Sequence, residues 1–266
     1  MSRLTELRAR MERKYDVESQ DERDLSQRAV VVLMHRLMEV IQPQVCLEVG
    51  AHEASFSIRC ADLLPDSRVI ALEANPDVWQ QHVGDISSQA PAVDYRNLAA
   101  WNTTGVVDLL RRRDVLPTRG DHSLLYRLAE VTDGYERVSV PARTIDSIVE
   151  DACMDLDEDP EYLRTALWID VEGATRQVLE GAEKTLRSTW ALTVELERVP
   201  FWKGAALDEE IDEILKGAGL EPVLEDVGDL RQRNVVYVLD SAARAVTELV
   251  EEHSVLEMED DDGLAD

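Results

Sequence analysis

Apolar positions along the chain fall into short runs separated by stretches of helical spacing. Val45-Cys46-Leu47-Glu48-Val49 is a β-rich run closed by Gly50, too short for a helix and bounded by a turn former, which is how a buried strand reads. Similar runs occupy Arg68–Glu73, Val93–Asn97, Ala166–Asp170 and Leu192–Leu196. Between them the period changes. Val30, Val31, Leu33, Met34, Leu37, Met38 and Ile41 give residues 25–41 a helical pattern that Pro43 stops. Further helices are predicted from Gly50 through Leu64, from Asn75-Pro76, over residues 144–151, through Val178, Leu179, Ala182 and Leu186, and through Leu207, Ile211, Ile214 and Leu215 up to Gly217 and Gly219. Strands alternating with helices imply an α/β fold: a doubly wound, mostly parallel, Rossmann-like sheet with right-handed crossovers. Val223-Leu224 and Asn234–Leu239, split by Gly228-Asp229, predict an antiparallel hairpin at its C-terminal edge. Gly105–Arg111 and Val138–Pro141 read as extra strands around a polar loop from Arg112 to Arg137.

The two ends break the pattern. Residues 1–24 mix both charge signs with little apolar periodicity and read as a mobile or loosely docked helical arm; 25–242 form the folded domain; 243–266 are an acidic, disordered tail. Charge then narrows the function. A formal net charge of -27 repels phosphate backbones and anionic lipid, which excludes polynucleotide substrates and membrane surfaces and favours a small-molecule or glycan acceptor. Homo-oligomerisation stays open. With 55 acidic residues and only four lysines among 28 basic ones, the composition suits a protein working in high salt. No apolar run approaches the roughly 20 residues of a membrane span, and the charged N-terminus lacks a signal core, so a cytoplasmic protein is expected. Cys46, Cys60 and Cys153 have no C-x-x-C spacing and read as buried, reduced thiols.

In a doubly wound sheet the ligand lies beyond the carboxyl ends of the strands, so chemistry is sought there. Four ends are polar or glycine-bearing: Glu48-Val49-Gly50-Ala51-His52, Glu73-Ala74-Asn75, Asp170-Val171-Glu172-Gly173 and Glu195-Leu196-Glu197. Gly50 permits a sharp turn and close approach of the backbone to a ligand. The loop lacks the second and third glycines of a dinucleotide fingerprint, and Glu53 adds negative charge where a pyrophosphate would lie. This disfavours a nicotinamide-linked oxidoreductase and favours S-adenosylmethionine, whose sulfonium and amino groups tolerate carboxylates. Glu73, 23 residues beyond Gly50, is placed to accept the ribose hydroxyls.

These segments resemble the FkbM family of methyltransferases from about Val45 to Leu239. Glu48-Val49-Gly50-Ala51-His52-Glu53-Ala54-Ser55-Phe56-Ser57 is similar to the family's D-x-G-A-N-x-G-x-x-S, Glu73-Ala74-Asn75-Pro76 to E-P-N-P, Asn97-Leu98-Ala99-Ala100-Trp101-Asn102 to N-x-A-L-S-D, and Thr144-Ile145-Asp146 to T-L-D. Ile169-Asp170-Val171-Glu172-Gly173-Ala174 with Val178-Leu179-Glu180-Gly181-Ala182 resembles I-D-V-E-G-A-E and v-L-x-G-A. Glu48, His52, Ala54 and Trp168 depart from the pattern, the last standing where lysine is usual. The resemblance implies a class I fold and a cofactor site at Glu48, Gly50, Ala51, His52, Ser55, Glu73, Ala74, Asn75, Asn97, Ala99 and Ala100. Glu48 would face the methionine amino group, and Asn97, Ala99 and Ala100 the adenine. It also implies O-methylation of a sugar, glycan or metabolite hydroxyl, with carboxylate or N-methylation as neighbouring readings; Arg111, Arg112, Arg113 and Arg119 are candidates to bind a carboxylate acceptor.

Asp170 or Glu172 is expected to orient or deprotonate the acceptor, with Glu195 as a neighbouring contact and His122 as a candidate base. The oxygens of Asp170, Glu172 and Glu195 also suit Mg²⁺, but no catalytic metal is assigned. A noncatalytic binding module that keeps the fold is the remaining alternative.

Overall fold

The five short runs become five neighbouring strands of one sheet. The computed structural model describes residues 2–112, 135–156, 163–228 and 231–241, the side chain of Arg112 excepted; His122, Arg113, Arg119 and the predicted tail lie outside them. Strands β1 (Val45–Val49), β2 (Arg68–Glu73), β3 (Val93–Asn97), β7 (Thr165–Ile169) and β8 (Thr189–Glu197) pair in parallel. β9 (Leu220–Glu225) and β10 (Gln232–Leu239) add the antiparallel edge, β10 running against both neighbours. The order is β3-β2-β1-β7-β8-β10-β9. β1 and β7 are therefore adjacent while their chains leave in opposite directions, to β2 and to β8. That is the topological switch point of a doubly wound sheet, where a crevice must open.

Both faces of the sheet are covered, which is why its strands are nearly continuous apolar runs. Leu47, Ile70, Leu167 and Leu192 are fully buried. Helix α3 (Ser55–Leu63) follows β1 and α4 (Pro76–Gln89) follows β2, with Asn75 capping α4 by accepting the Asp77 N–H at 3.1 Å. α5 (Ile145–Leu156) precedes β7; α6 (Thr175–Glu180) and a 3₁₀ turn (Thr185–Ser188) follow it; α7 (Asp208–Gly217) links β8 to β9. Val178, Leu179, Ala182 and Leu186 are all buried as their spacing predicts, although the α-helix is shorter than that spacing.

The predicted extra strands form a second sheet. β4 (Ala99–Ala100), β5 (Gly105–Arg112) and β6 (Tyr135–Arg143) pair in the order β4-β6-β5, around a small core of Ala99, Leu109, Val140 and Ala142. This layer stands beyond the carboxyl end of β3 and supplies one wall of the crevice.

The N-terminal arm is helical as expected, and it is docked. α1 (Arg3–Lys14), capped by Ser2, docks on β9, and α2 starts at Gln20 and runs to Ile41, five residues earlier than the apolar stretch suggested. Leu4, Leu7, Met11 and Tyr15 are all at most 5% exposed. Their three- and four-residue steps form a narrow stripe that the flanking charges conceal in the sequence. Arg8 completes the dock, its guanidinium lying 2.8 Å from Asp208 and 2.9 Å from Glu225.

Candidate functional site

A cavity of about 370 Å³ opens beyond the carboxyl ends of β1, β2, β7 and β8. Its floor is where the adjacent carboxyl ends of β1 and β7 come together. Gly50 has φ +79°, and a Cβ there would stand 1.8 Å from the Asp170 carbonyl oxygen, so only glycine lets the two strand ends pass. The N–H groups of Gly50 and Ala51 both donate to the Leu72 carbonyl, at 3.0 and 2.9 Å, and the Asp170 N–H donates to Val49 at 3.0 Å. Three strand ends are thereby locked at one point.

Glu73 forms the β2 side. Its Oε2 accepts the His52 N–H at 2.9 Å and its Oε1 the Asn75 N–H at 2.6 Å. A carboxylate offers about four acceptor positions, and Glu73 also lines the cavity, so acceptor capacity remains for a ligand diol. Burial raises its pKa, against the two N–H donors that lower it. His52, at φ 46°, lines the cavity, and its carbonyl accepts the Tyr95 hydroxyl at 2.5 Å. Ala74, Asn75 and Ala100 also line it.

Other expected cofactor contacts lie elsewhere. Glu48 does not line the cavity; its Oε2 accepts the Ser57 N–H at 2.8 Å, capping the N-terminus of α3. Burial, opposed by those cap hydrogen bonds, pushes its pKa up to about 7. Ala51 is buried beneath the loop, and Ser55 is exposed with its hydroxyl on Glu53. Asn97 supports the β2 turn by donating to the carbonyls of Glu73 (2.9 Å) and Ala74 (3.2 Å). Ala99 packs in the core of the second sheet. These five shape the site without lining it.

Opposite Glu73 stand Asp170, Glu172 and Glu195, from the ends of β7 and β8. Asp170 is open to solvent through the cavity, and the protein around it raises its pKa. Glu195 is raised well above the usual carboxylate range, by burial first and then by the charges of Asp170, Glu172, Glu197 and Asp226. Glu195 accepts from Gln232 at 3.1 Å. Glu172 accepts from the indole N–H of Trp202 at 3.2 Å. Trp202 also packs where a Cβ on Gly173 would stand, 2.4 Å from its ring, so the β7 turn and the segment after β8 fit together only with glycine at 173. Nothing in the sequence pattern pointed to Trp202. Tyr95 could have been found, since it alternates with polar neighbours on β3.

Two motifs prove structural. Asp146 accepts the backbone N–H groups of Lys184 (3.1 Å) and Thr185 (2.8 Å) and the Thr185 hydroxyl (2.8 Å), while its own N–H donates to Gly181. A Cβ on Gly181 would stand 2.2 Å from the Trp101 carbonyl oxygen. The Thr144-Ile145-Asp146 and Leu179-Glu180-Gly181-Ala182 segments thus clasp one another away from the cavity. Trp168 also faces away from it, its ring 5.3 Å from that of Phe56. Arg111 is paired with Asp77 and Glu136. Among the described residues no group of three or more His, Cys, Asp or Glu is arranged to hold a metal ion.

The arrangement discriminates between cofactors. A pyrophosphate needs the free N–H groups and positive pole of a helix N-terminus, yet Glu48 places a carboxyl group there. A diol acceptor at Glu73, a close backbone approach at Gly50 and a carboxylate-rich far wall suit a nucleoside bearing a cation. A model of the methyltransferase FkbM domain matches residues 48–222, a span that includes every lining residue of this cavity. The chain belongs to the FkbM methyltransferase domain family. Its cofactor is S-adenosylmethionine.

No curated protein sequence matches this FkbM chain. Among solved structures it is similar to a methyltransferase FkbM from Methylobacillus flagellatus (13% identity, TM-score 0.47), over 74% of this chain and 44% of that one. It is also similar to a precorrin-6y C5,15-methyltransferase from Geobacter metallireducens (15%, TM-score 0.39; 79% and 86%) and to Aeropyrum pernix fibrillarin (11%, TM-score 0.40; 74% and 66%). The FkbM chain thus spans less than half the length of the Methylobacillus protein.

Proposed function

We propose that this FkbM domain is an S-adenosylmethionine-dependent O-methyltransferase acting on a hydroxyl of a sugar, glycan or small metabolite. The observation that carries the reading is the convergence of Asp170, Glu172 and Glu195 on the cavity wall facing Glu73. When bound, the cofactor supplies a methyl group on a sulfonium, a leaving group that departs as a neutral thioether. Glu73 would hold the ribose, and Gly50 would let the nucleoside come close to the backbone. The far-wall carboxylates would accept hydrogen bonds from the acceptor and orient its hydroxyl, and positioning is most of what such a displacement requires. Asp170, at the cavity end of β7, would hold the proton that the acceptor hydroxyl gives up.

The test is transfer from methyl-labelled cofactor to a panel of sugars, nucleotide sugars, glycans and secondary metabolites. Asp170→Asn is expected to leave S-adenosylhomocysteine affinity within about twofold and slow transfer by ~10²-fold or more. Equal loss of binding and rate would remove Asp170 from the acceptor side. Cofactor binding with no transfer to any acceptor would favour the noncatalytic reading.

A further inference from the structure

We infer that Trp202 is a positioning residue for the acceptor: its indole N–H holds Glu172, and through Glu172 it sets how the far wall receives the acceptor hydroxyl. The inference rests on the O-methyltransferase reading and adds to it a residue outside the cavity lining. Glu172 lines the cavity, whereas Trp202 does not. Trp202 is 2% exposed, in the segment that follows β8, and its Nε1 lies 3.2 Å from the Glu172 carboxylate. Its ring also occupies the place that a Cβ on Gly173 would take, 2.4 Å away, and Gly173 has φ +73°. The turn that carries Glu172 is thus fitted to the indole at two successive residues. The segment bearing Trp202 is itself tied down. The Arg198 N–H donates to the Arg231 carbonyl at 2.7 Å, the Ala205 N–H donates to the Trp202 carbonyl at 3.2 Å, and the Arg231 guanidinium stands 5.2 Å from the centre of the Phe201 ring. Glu197, buried at the end of β8, interacts with the amides of Phe201 and Gly173 and so joins the same two segments that Trp202 joins.

The donor suits a carboxylate that must still receive a ligand. An indole has one N–H and no acceptor, while a carboxylate offers about four acceptor positions, so the bond from Trp202 orients Glu172 and leaves room for a hydroxyl. The indole is also neutral, and it holds the carboxylate without pairing its charge as a bidentate arginine does. Glu195 is held in a comparable way, by the Gln232 side-chain amide at 3.1 Å. Two of the three far-wall carboxylates therefore each accept from a neutral side-chain donor that stands outside the cavity lining. Such support matters because a group that orients a reactant is effective only while its own rotamer is fixed, and a misplacement of about 1 Å can cost about 10²-fold in rate. Ring and N–H have separable tasks. The ring packs against Gly173, which another aromatic ring does in part, whereas only the N–H reaches Glu172.

Trp202→Phe keeps an aromatic ring against Gly173 and removes the N–H. With the best acceptor of the labelled-transfer panel, it is expected to lower kcat/KM for that acceptor by ~10-fold or more, while S-adenosylhomocysteine affinity, measured by calorimetry, stays within about threefold. Added to Glu172→Ala, the same substitution is expected to slow transfer by less than about twofold further, because its target is gone. Equal losses with and without Glu172 would mean that Trp202 only packs the turn, and overturn the inference. An unchanged kcat/KM in the single variant overturns it too, as does a loss of S-adenosylhomocysteine affinity in step with rate, which would put Trp202 on the cofactor side. If the Phe variant does not fold, the native chain decides: the indole N–H resonance of Trp202 in ¹⁵N-labelled protein is expected to shift when the acceptor is added, and an unmoved resonance overturns the inference. S-adenosylhomocysteine binding by the native chain without transfer to any acceptor overturns the methyltransferase reading instead, and the inference with it.

Discussion

Glu73 connects two loops and the cavity through one carboxylate. Its oxygens accept the N–H groups of His52 and Asn75, so it both shapes the turns after β1 and β2 and presents acceptor capacity to a ribose. Charge-assisted hydrogen bonds of this kind contribute about 1.5–3 kcal/mol each. Glu73→Ala is therefore expected to weaken S-adenosylhomocysteine binding by ~10²-fold or more, measured by calorimetry; a change below threefold would detach Glu73 from the cofactor. Glu48 behaves differently, because its carboxyl group is turned into the fold. Its pKa in the folded chain is about 7, raised mainly by burial. Between the ordinary carboxylate range and pH 7 the unfolded chain releases this proton while the folded chain keeps it, so stability falls as pH rises through that window and levels off above it. Glu48→Gln should flatten that slope and make the protein up to about 3 kcal/mol more stable than wild type at pH 8 relative to pH 4. Urea unfolding at a series of pH values measures it, and parallel curves for the two proteins would show that Glu48 is ionised in the fold. The sequence identified Glu48, Gly50 and Glu73 as site residues by position at strand ends. It could not distinguish the acid that faces the ligand from the acid that caps α3, since Glu48 stands one residue before the end of β1 and Glu73 at the end of β2, and what each meets is set by the loops packed over those ends.

Among the elements, the inner strands β1, β2, β7 and β8 were legible because both faces of the sheet are buried there and they read as apolar runs, whereas the edge strand β3 shows alternation. The switch point followed from the alternation of strands and helices. Helix α1 was read only as a loosely held arm, because four apolar residues among charges do not show which surface they meet. That surface is β9, at the far edge of the sheet and more than two hundred residues away in the chain, and the contact is finished by ion pairs of Arg8 with Asp208 and Glu225. A helix of 12 residues is marginal by itself in water, so its order derives from this dock. Leu7, 5% exposed, is the test position. Leu7→Ala should cost about 2–4 kcal/mol of unfolding free energy and raise amide exchange across residues 3–14 specifically. Uniform destabilisation without local exchange would mean that α1 folds as part of the core. The segment carrying Trp202 was illegible for a related reason: its partner, Gly173, was visible as a glycine after β7, but nothing local specified an indole against it.

For the whole molecule, the net charge of -27 acts against compactness. At low ionic strength acidic side chains repel over distances comparable to the domain, while at 1 M salt the screening length falls to about 3 Å and only near neighbours interact. The folded chain concentrates this charge more than the unfolded one, so screening relieves the folded state preferentially. The opposing effect is smaller. Arg233 and Glu225, both at most 1% exposed, form part of an ion cluster with Arg8 and Glu12 that salt reaches poorly, and pairs on the surface contribute at most about 1 kcal/mol each. The melting temperature is thus expected to rise steadily from 0.05 to 2 M KCl, by roughly 5–10 °C for a few kcal/mol of relieved repulsion in a domain of this size. Chloride is the appropriate salt, because sulfate strengthens apolar burial in any protein and would give the same trend for a different reason. A melting temperature that is highest at low salt would remove both the repulsion argument and the high-salt habitat that the lysine-poor composition suggests. A rise that saturates near 0.2 M would confine the repulsion to long-range surface charge. A continued rise to 2 M would locate part of it among close carboxylates such as those of the cavity wall, which only a short screening length can separate.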